Sequence, residues 1–279
     1  MKLRDYSRAM QAPCGTVVEQ LSVSSDTCSW DDLEVELEHW RCAGRAVTLW
    51  WRDDDAINST PALQRLAQLS SRCQVPLSLA VIPARADSTL IVILNECVGA
   101  QVLQHGYAHT DYGNGAEPAA ELGGHRPAQL VLGELRRGRE RLMNLLGEYF
   151  LPVLVPPWNR IEPCLVPRLV AAGYYGLSCF SARESSADSP GLLVANCHVD
   201  PVHWKQAGAF RGESKSLSML VGHLRARREG EVDVSEPTGV LTHHWSHDEQ
   251  TWAFLGRLFE QTRGHNNVHW LDARQVFAS

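Results

Sequence analysis

The stretch AVTLWWRDDDAI, residues 46–57, decides how the fold is read. Its first six residues form a short apolar run rich in β-branched and aromatic side chains, the pattern of a buried strand. The run then breaks into Arg52 and three consecutive aspartates. Adjacent carboxylates repel one another, so a strand end that carries three of them needs compensation. On these residues alone a solvated acidic turn, a cation site and a catalytic carboxylate pair all stay open.

The same kind of apolar run recurs along the chain. LSLAVI (77–82), AQVLQ (100–104), PVLVPP (152–157), YYGLSCF (174–180), GLLVANCHV (191–199), TGVLTHH (238–244) and VHWL (268–271) read as strands. Between most of them lie amphipathic helical patterns, among them TPALQRLAQLSSR (60–72), PAQLVLGELRRGRERLMNLLGE (127–148), EPCLVPRLVAAG (162–173) and DEQTWAFLGRLFEQT (248–262). A further helix starts before the first strand: Ser29 suits its N-cap, with Asp32 three residues on, and Gly44 its stop. Strands alternating with helices imply α/β architecture and a parallel sheet. Seven or eight such units without a composition break predict a single (β/α) barrel over 29–279, preceded by a loose arm over 1–28. A doubly wound open sheet is the alternative; no G-x-G-x-x-G follows the first strand, which weighs against a dinucleotide fold.

Composition narrows the function class. The 279 residues are 44% apolar and 21% charged, with a net charge of −6, ordinary for a soluble globular protein. The one basic run, RARR at 225–228, reads as the solvated end of a helix, so nucleic acid is not an expected partner. Nowhere do roughly 18 apolar residues run together, so no membrane span is expected. The eight cysteines form no C-x-x-C pair and several sit in apolar stretches. Buried free thiols in a reducing, cytoplasmic compartment are the expectation.

In a barrel of this kind the active site forms where strands end and helices begin. Chemistry-bearing residues collect there: Arg52 to Asp55, Arg85, His105 to His109, Trp158 to Arg160, His198, Asp200, His243 and His244. The opposite strand ends carry far fewer. Three H-x-x-x-H pairs occur, and context separates them. His105 and His109 follow a strand, and Gly106 permits a sharp turn after it. Two neutral imidazoles with one carboxylate from the aspartate run, and water in the open position, make a catalytic zinc arrangement. His247 reads as a surface group at the start of the last long helix. His265 and His269 span a polar loop and a strand start, and take no role.

RDDDA, HGYAH, PPWNR, HVDPVHW and LTHH, in that order, resemble the motif series of the polysaccharide deacetylase superfamily. This is the NodB-like fold of carbohydrate esterase family four, here in a divergent branch, and the resemblance covers roughly residues 30–279. It implies a distorted (β/α) barrel and a metal-dependent hydrolase that removes an acetyl group from an N-acetylated sugar or related amide. It further implies Asp54 as general base and Asp55, His105 and His109 as ligands of a divalent metal, zinc first. His243 becomes the general acid, Asp200 the carboxylate that orients a catalytic group, and Arg160 the motif arginine. Asp53 and Asp54 form the alternative carboxylate pair. Two departures stand out: Arg160 follows its prolines instead of preceding them, and His203 occupies the place of an aspartate before Trp204. Arg85, Tyr107, Trp158, Asn159, Trp204 and Trp245 are the expected substrate contacts; for the tryptophans, core-rim packing is the competing role. A metal-free glycoside hydrolase and a non-catalytic metal- or carbohydrate-binding barrel are the competing functions.

Overall fold

A computed structural model of the chain describes residues 27–113, 115, 117–183, 190–206 and 208–278. The expected loose arm falls almost wholly on residues 1–26, outside the described residues. The first helix, α1 (Trp30–Cys42), starts where its capping box places it. The Ser29 hydroxyl accepts from the Asp32 N–H, and the Asp32 carboxylate accepts from the Ser29 N–H at 2.8 Å.

The chain then alternates through β1 (Val47–Ala56), α2 (Pro61–Cys73), β2 (Ser78–Val81), α3 (Leu90–Glu96), β3 (Gln101–His105), α4 (Ala128–Leu146) and β4 (Phe150–Val155). Four two-residue strands follow: β5 (Gly176–Leu177), β6 (Leu193–Val194), β7 (Val202–His203) and β8 (Ala209–Phe210). The rest is α5 (Glu213–Glu229), β9 (Thr238–Thr242), α6 (Glu249–Arg263), β10 (Val268–Leu271) and α7 (Ala273–Val276). The main sheet is parallel, in the order β10-β1-β2-β3-β4-β5-β6, with β9 also on β1. One edge of β1 takes β9. The other is shared, by β10 along 47–50 and by β2 from Arg52 onward.

Closure is irregular. Single bridges join Phe180 to Cys197 and Val199 to Val240, and the His198 and Val199 N–H groups both donate to the Gly239 carbonyl. The ring is thus a distorted barrel, with residues 196–199 acting as its seam. The expected strands over 174–180 and 191–199 shrink for a visible reason. The Asn196 side chain interrupts the ladder: its Oδ1 accepts from Cys179 N–H at 2.7 Å and its Nδ2 donates to Ser181 O at 2.8 Å, and main-chain pairing resumes only as single bonds around Cys197. The expected helix over 162–173 is two short 3₁₀ turns, Pro163–Arg168 and Val170–Ala172. Pro167 has no N–H to give an α-helical bond.

Apolar packing divides into an inside and an outside. Trp50, Leu103, Val153, Val155 and Leu241 fill the barrel, with Phe277 set edge-on to Trp50 at 5.9 Å. Leu49, Trp51, Leu79 and Val81 face outward to α1, α2, α5 and α6. The RARR run corrects its expectation: Arg227 is buried, and donates to Thr48 O and to Thr238 Oγ1, both at 3.0 Å. The seven described cysteines are free, but only Cys73 and Cys197 are buried. Among the described residues no helix is long and apolar enough to cross a membrane.

Candidate active site

Strand alternation sorts the aspartate run. Trp50, Arg52 and Asp54 face the barrel interior, while Leu49, Trp51 and Asp53 face out. Alternation would send Asp55 outward as well. Instead the register between β1 and β2 shifts between Asp53 and Ala56, and Asp55 adopts φ +72°. Aspartate tolerates this left-handed conformation better than most residues, and such irregularities re-aim side chains at strand ends. Asp54 and Asp55 therefore serve the same interior.

Asp53 has a separate task. Its carboxylate accepts from Thr242 Oγ1 at 2.7 Å, His244 N–H at 2.9 Å and His244 Nδ1 at 2.6 Å. Burial opposes its ionisation, yet the charge and hydrogen bond of His244 outweigh that and hold Asp53 below the usual carboxylate range. The result is a strut between the ends of β1 and β9.

Asp54 is gripped by Arg52, two residues earlier on the same face. Nε donates to Oδ1 at 2.8 Å and Nη2 to Oδ2 at 3.0 Å, a bidentate pair. Arg52 also donates to Ser178 Oγ at 2.6 Å and to Asn159 Oδ1 at 2.8 Å. Burial works against the guanidinium charge, but Asp54 more than restores it and raises the Arg52 pKa. Arg160 turns instead to the 110–127 loop, where Nη1 donates to Ala119 O at 3.0 Å. Asn159 reaches Arg52 because Trp158 and Asn159 both hold φ +55°. The same kink lays Trp158 against the His109 ring at 4.2 Å.

Asp55 meets the histidine pair. Its Oδ1 lies 3.2 Å from His105 Nε2 and 3.3 Å from His109 Nε2. His105 Nδ1 is 3.0 Å from the Val155 carbonyl, which can only accept, so Nε2 is the nitrogen left to a metal; burial opposes a charge on this ring, but the Asp54 and Asp55 carboxylates outweigh it and raise its pKa. Burial, against the weaker pull of Asp55, takes His109 down to about 4, so it is neutral at pH 7. A tetrahedral ion with bonds of about 2.0–2.1 Å spaces its ligand atoms about 3.4 Å apart. Both Asp55–histidine separations fit that edge length, and the three donor atoms all lie within 4.8 Å of one another.

The turn that brings His109 back to His105 is built on Glu121, a residue the sequence reading missed. Its buried carboxylate accepts from the N–H groups of Tyr107, Ala108 and His109, the Ala108 bond at 2.7 Å. Gly106 makes this possible. Its φ is +54°, and a Cβ there would overlap Glu121 Oε2 and stand 2.6 Å from Pro157 Cγ. Gly106→Ala is expected to cost about 2–4 kcal/mol, combining left-handed strain with overpacking. Thermal unfolding and zinc titration should both register it; a variant with wild-type values would refute the tight-turn account.

His243 sits on the opposite wall, its ring edge-on to Trp204 at 4.6 Å. Trp204 Nε1 donates to Asp200 Oδ2 at 2.8 Å. Burial raises the Asp200 pKa, with the charge of nearby His243 pulling it back. His247 is not a surface group: half-buried, it offers Nε2 to the His243 N–H at 3.3 Å. Arg85 is exposed in a turn whose Ala84 N–H donates to Tyr107 O, and Tyr107 lies under the Arg137 guanidinium. Trp245 is at the rim, with Nε1 3.0 Å from Asp55 Oδ2. The structure thus gathers Asp54, Asp55, His105, His109, Trp158, Asn159 and Trp245 around one point, with His243, Asp200 and Trp204 beside it.

A second His–His–Glu group, His198, His223 and Glu236, lies at the barrel seam. It fits a cation poorly. His198 Nδ1 accepts from the Gly239 N–H at 3.0 Å, so the ring proton sits on Nε2, facing Glu236 at 3.4 Å.

No family model matches the chain, and no curated protein matches it. Solved structures do. A protein from Mycobacterium smegmatis assigned as a polysaccharide deacetylase aligns with a TM-score of 0.61 at 15% identity, covering 91% of this chain and 93% of that one. Peptidoglycan deacetylase PdaC from Bacillus subtilis gives 0.52 at 14% identity, covering 83% and 90%. A structure described as T48 deacetylase with substrate gives 0.51 at 17% identity, covering 85% and 93%. The chain shares the fold of these deacetylase structures, at 14–17% sequence identity.

Proposed function

We propose that the chain is a divalent-metal-dependent hydrolase that removes an acetyl group from an N-acetylated sugar or related amide. The observation that carries this is the convergence of Asp55 Oδ1 with His105 and His109 Nε2, beside an arginine-held Asp54. The deacetylase names of the aligned structures support the same reading.

Asp55, His105 and His109 would hold the ion, zinc by donor set. A zinc ion there supplies Lewis-acid polarisation of the amide carbonyl and a lowered pKa for water. Asp54, aimed by Arg52, takes the proton of the attacking water. His243, on the facing wall, delivers a proton to the departing amine. Trp245 is exposed at the opening and offers its face to a sugar ring, whereas Trp158 and Trp204 are buried and pack together beneath the rim. Asp200 holds Trp204, and through it the edge on which His243 rests. Arg85 and Tyr107 form the outer rim where the remainder of a substrate would lie. Arg160 acts on the loop beside the site. The free cysteines fit a cytoplasmic setting and so a small acetylated solute. A metal-free glycosidase has less support, because Asp53 faces out and Asp55 is taken up by the histidine pair.

The test is acetate release from N-acetylated sugars and short N-acetylglucosamine oligomers. Activity is expected to vanish on chelation and to return with about one equivalent of zinc per chain. Turnover that survives complete metal removal would overturn the reading.

A further inference from the structure

We propose that Trp245 fixes how Asp55 binds a divalent ion: its indole N–H occupies Oδ2, so that Oδ1 is the oxygen presented to the metal. The inference rests on the metal-dependent reading above and extends it to a residue outside the ligand set.

The geometry is specific. Asp55 Oδ1 faces both histidine Nε2 atoms, at 3.2 and 3.3 Å, while Oδ2 receives Trp245 Nε1 at 3.0 Å. The two carboxylate oxygens therefore have different partners on different sides. Trp245 is 38% exposed, so its N–H could be satisfied by water. It points inward nonetheless, and desolvation does not require that. The indole sits in the turn directly after β9, two residues beyond His243, at 5.8 Å from the Trp204 ring and 6.5 Å from the His243 ring.

Two consequences follow. A carboxylate held through one oxygen binds an ion monodentately, and keeps coordination positions for water and substrate. Hydrogen bonds to ligating carboxylates also set ligand orientation and affinity. Trp245 further couples the rim to the metal, because a substrate resting on its exposed face bears on the residue that orients Asp55. Trp245 is thus a positioning residue acting through Asp55.

Trp245→Phe keeps an aromatic ring, though a smaller one, and removes the donor. The full chain would be loaded with Co²⁺, whose visible absorption reports coordination number, and titrated to obtain its dissociation constant. The expected result is a dissociation constant raised about tenfold and an altered visible spectrum. Because the side chain is at the rim, the unfolding midpoint should stay close to wild type, separating the effect from a structural one. An unchanged dissociation constant or an unchanged Co²⁺ spectrum overturns the proposal. Failure of the wild-type chain to bind Co²⁺ at all would instead remove the metal-dependent reading, and this inference with it.

Discussion

Asp54→Asn is expected to lower kcat for acetate release by about 10²–10⁴-fold, the usual contribution of a general base. The substitution keeps the shape of the side chain and one oxygen that can still accept from Arg52. It removes the charge that makes the group a base. Zinc should remain bound, because Asp55, His105 and His109 supply the ligands in the proposed site. The loss should fall mainly on kcat, since the carboxylate acts on a proton in flight and not on the resting substrate. The decisive measurement pairs zinc stoichiometry with kinetics on the same preparation. Full metal loading with near-normal turnover would dismiss Asp54 as the base.

Arg52→Met should have the largest effect on stability. Arg52 is fully buried and its partner Asp54 is buried with it. Removing the arginine leaves an uncompensated carboxylate in the barrel interior, a change that costs about 3–5 kcal/mol. For a domain of this size that is a fall of roughly 10 °C in Tm. Lysine should rescue poorly, because its point charge cannot reproduce the two-pronged grip or reach Asn159 and Ser178 together. The double variant Arg52→Met/Asp54→Asn should regain much of the lost stability while staying inactive, because it removes the stranded charge. If Arg52→Met melts like wild type, the pair is not the interior brace described here.

Much of this was legible in the sequence, and the exceptions have physical causes. Strand–helix alternation and the placement of polar residues at strand ends identify the barrel and its working face, because both follow from local periodicity. The HGYAH turn could be anticipated, because Gly106 is the residue such a turn requires. Glu121 could not: it reaches the turn from a loop with no periodic signal, and only the fold brings it there. Arg52 was visible as a neighbour of the aspartates, but its bidentate bond to Asp54 depends on the two side chains sharing a strand face. Arg160 drew the expected role because motif order favours it, whereas the kink at Trp158 and Asn159 sends its side chain to the loop. The fifth and sixth strands looked longer than they are, since an apolar run does not reveal that Asn196 will interrupt the pairing.

The register shift between Asp53 and Ala56 gives the three aspartates their separate occupations, and that has a consequence for heredity. Deleting the codon for Asp53, Asp54 or Asp55 yields one and the same polypeptide, ending its first strand in Arg-Asp-Asp-Ala. Such a descendant would keep two carboxylates and lose one occupation out of strut, base and ligand. Which one goes vacant would be decided by where the shortened backbone kinks, not by which codon was lost. The spelling of the run is therefore redundant while its geometry is not.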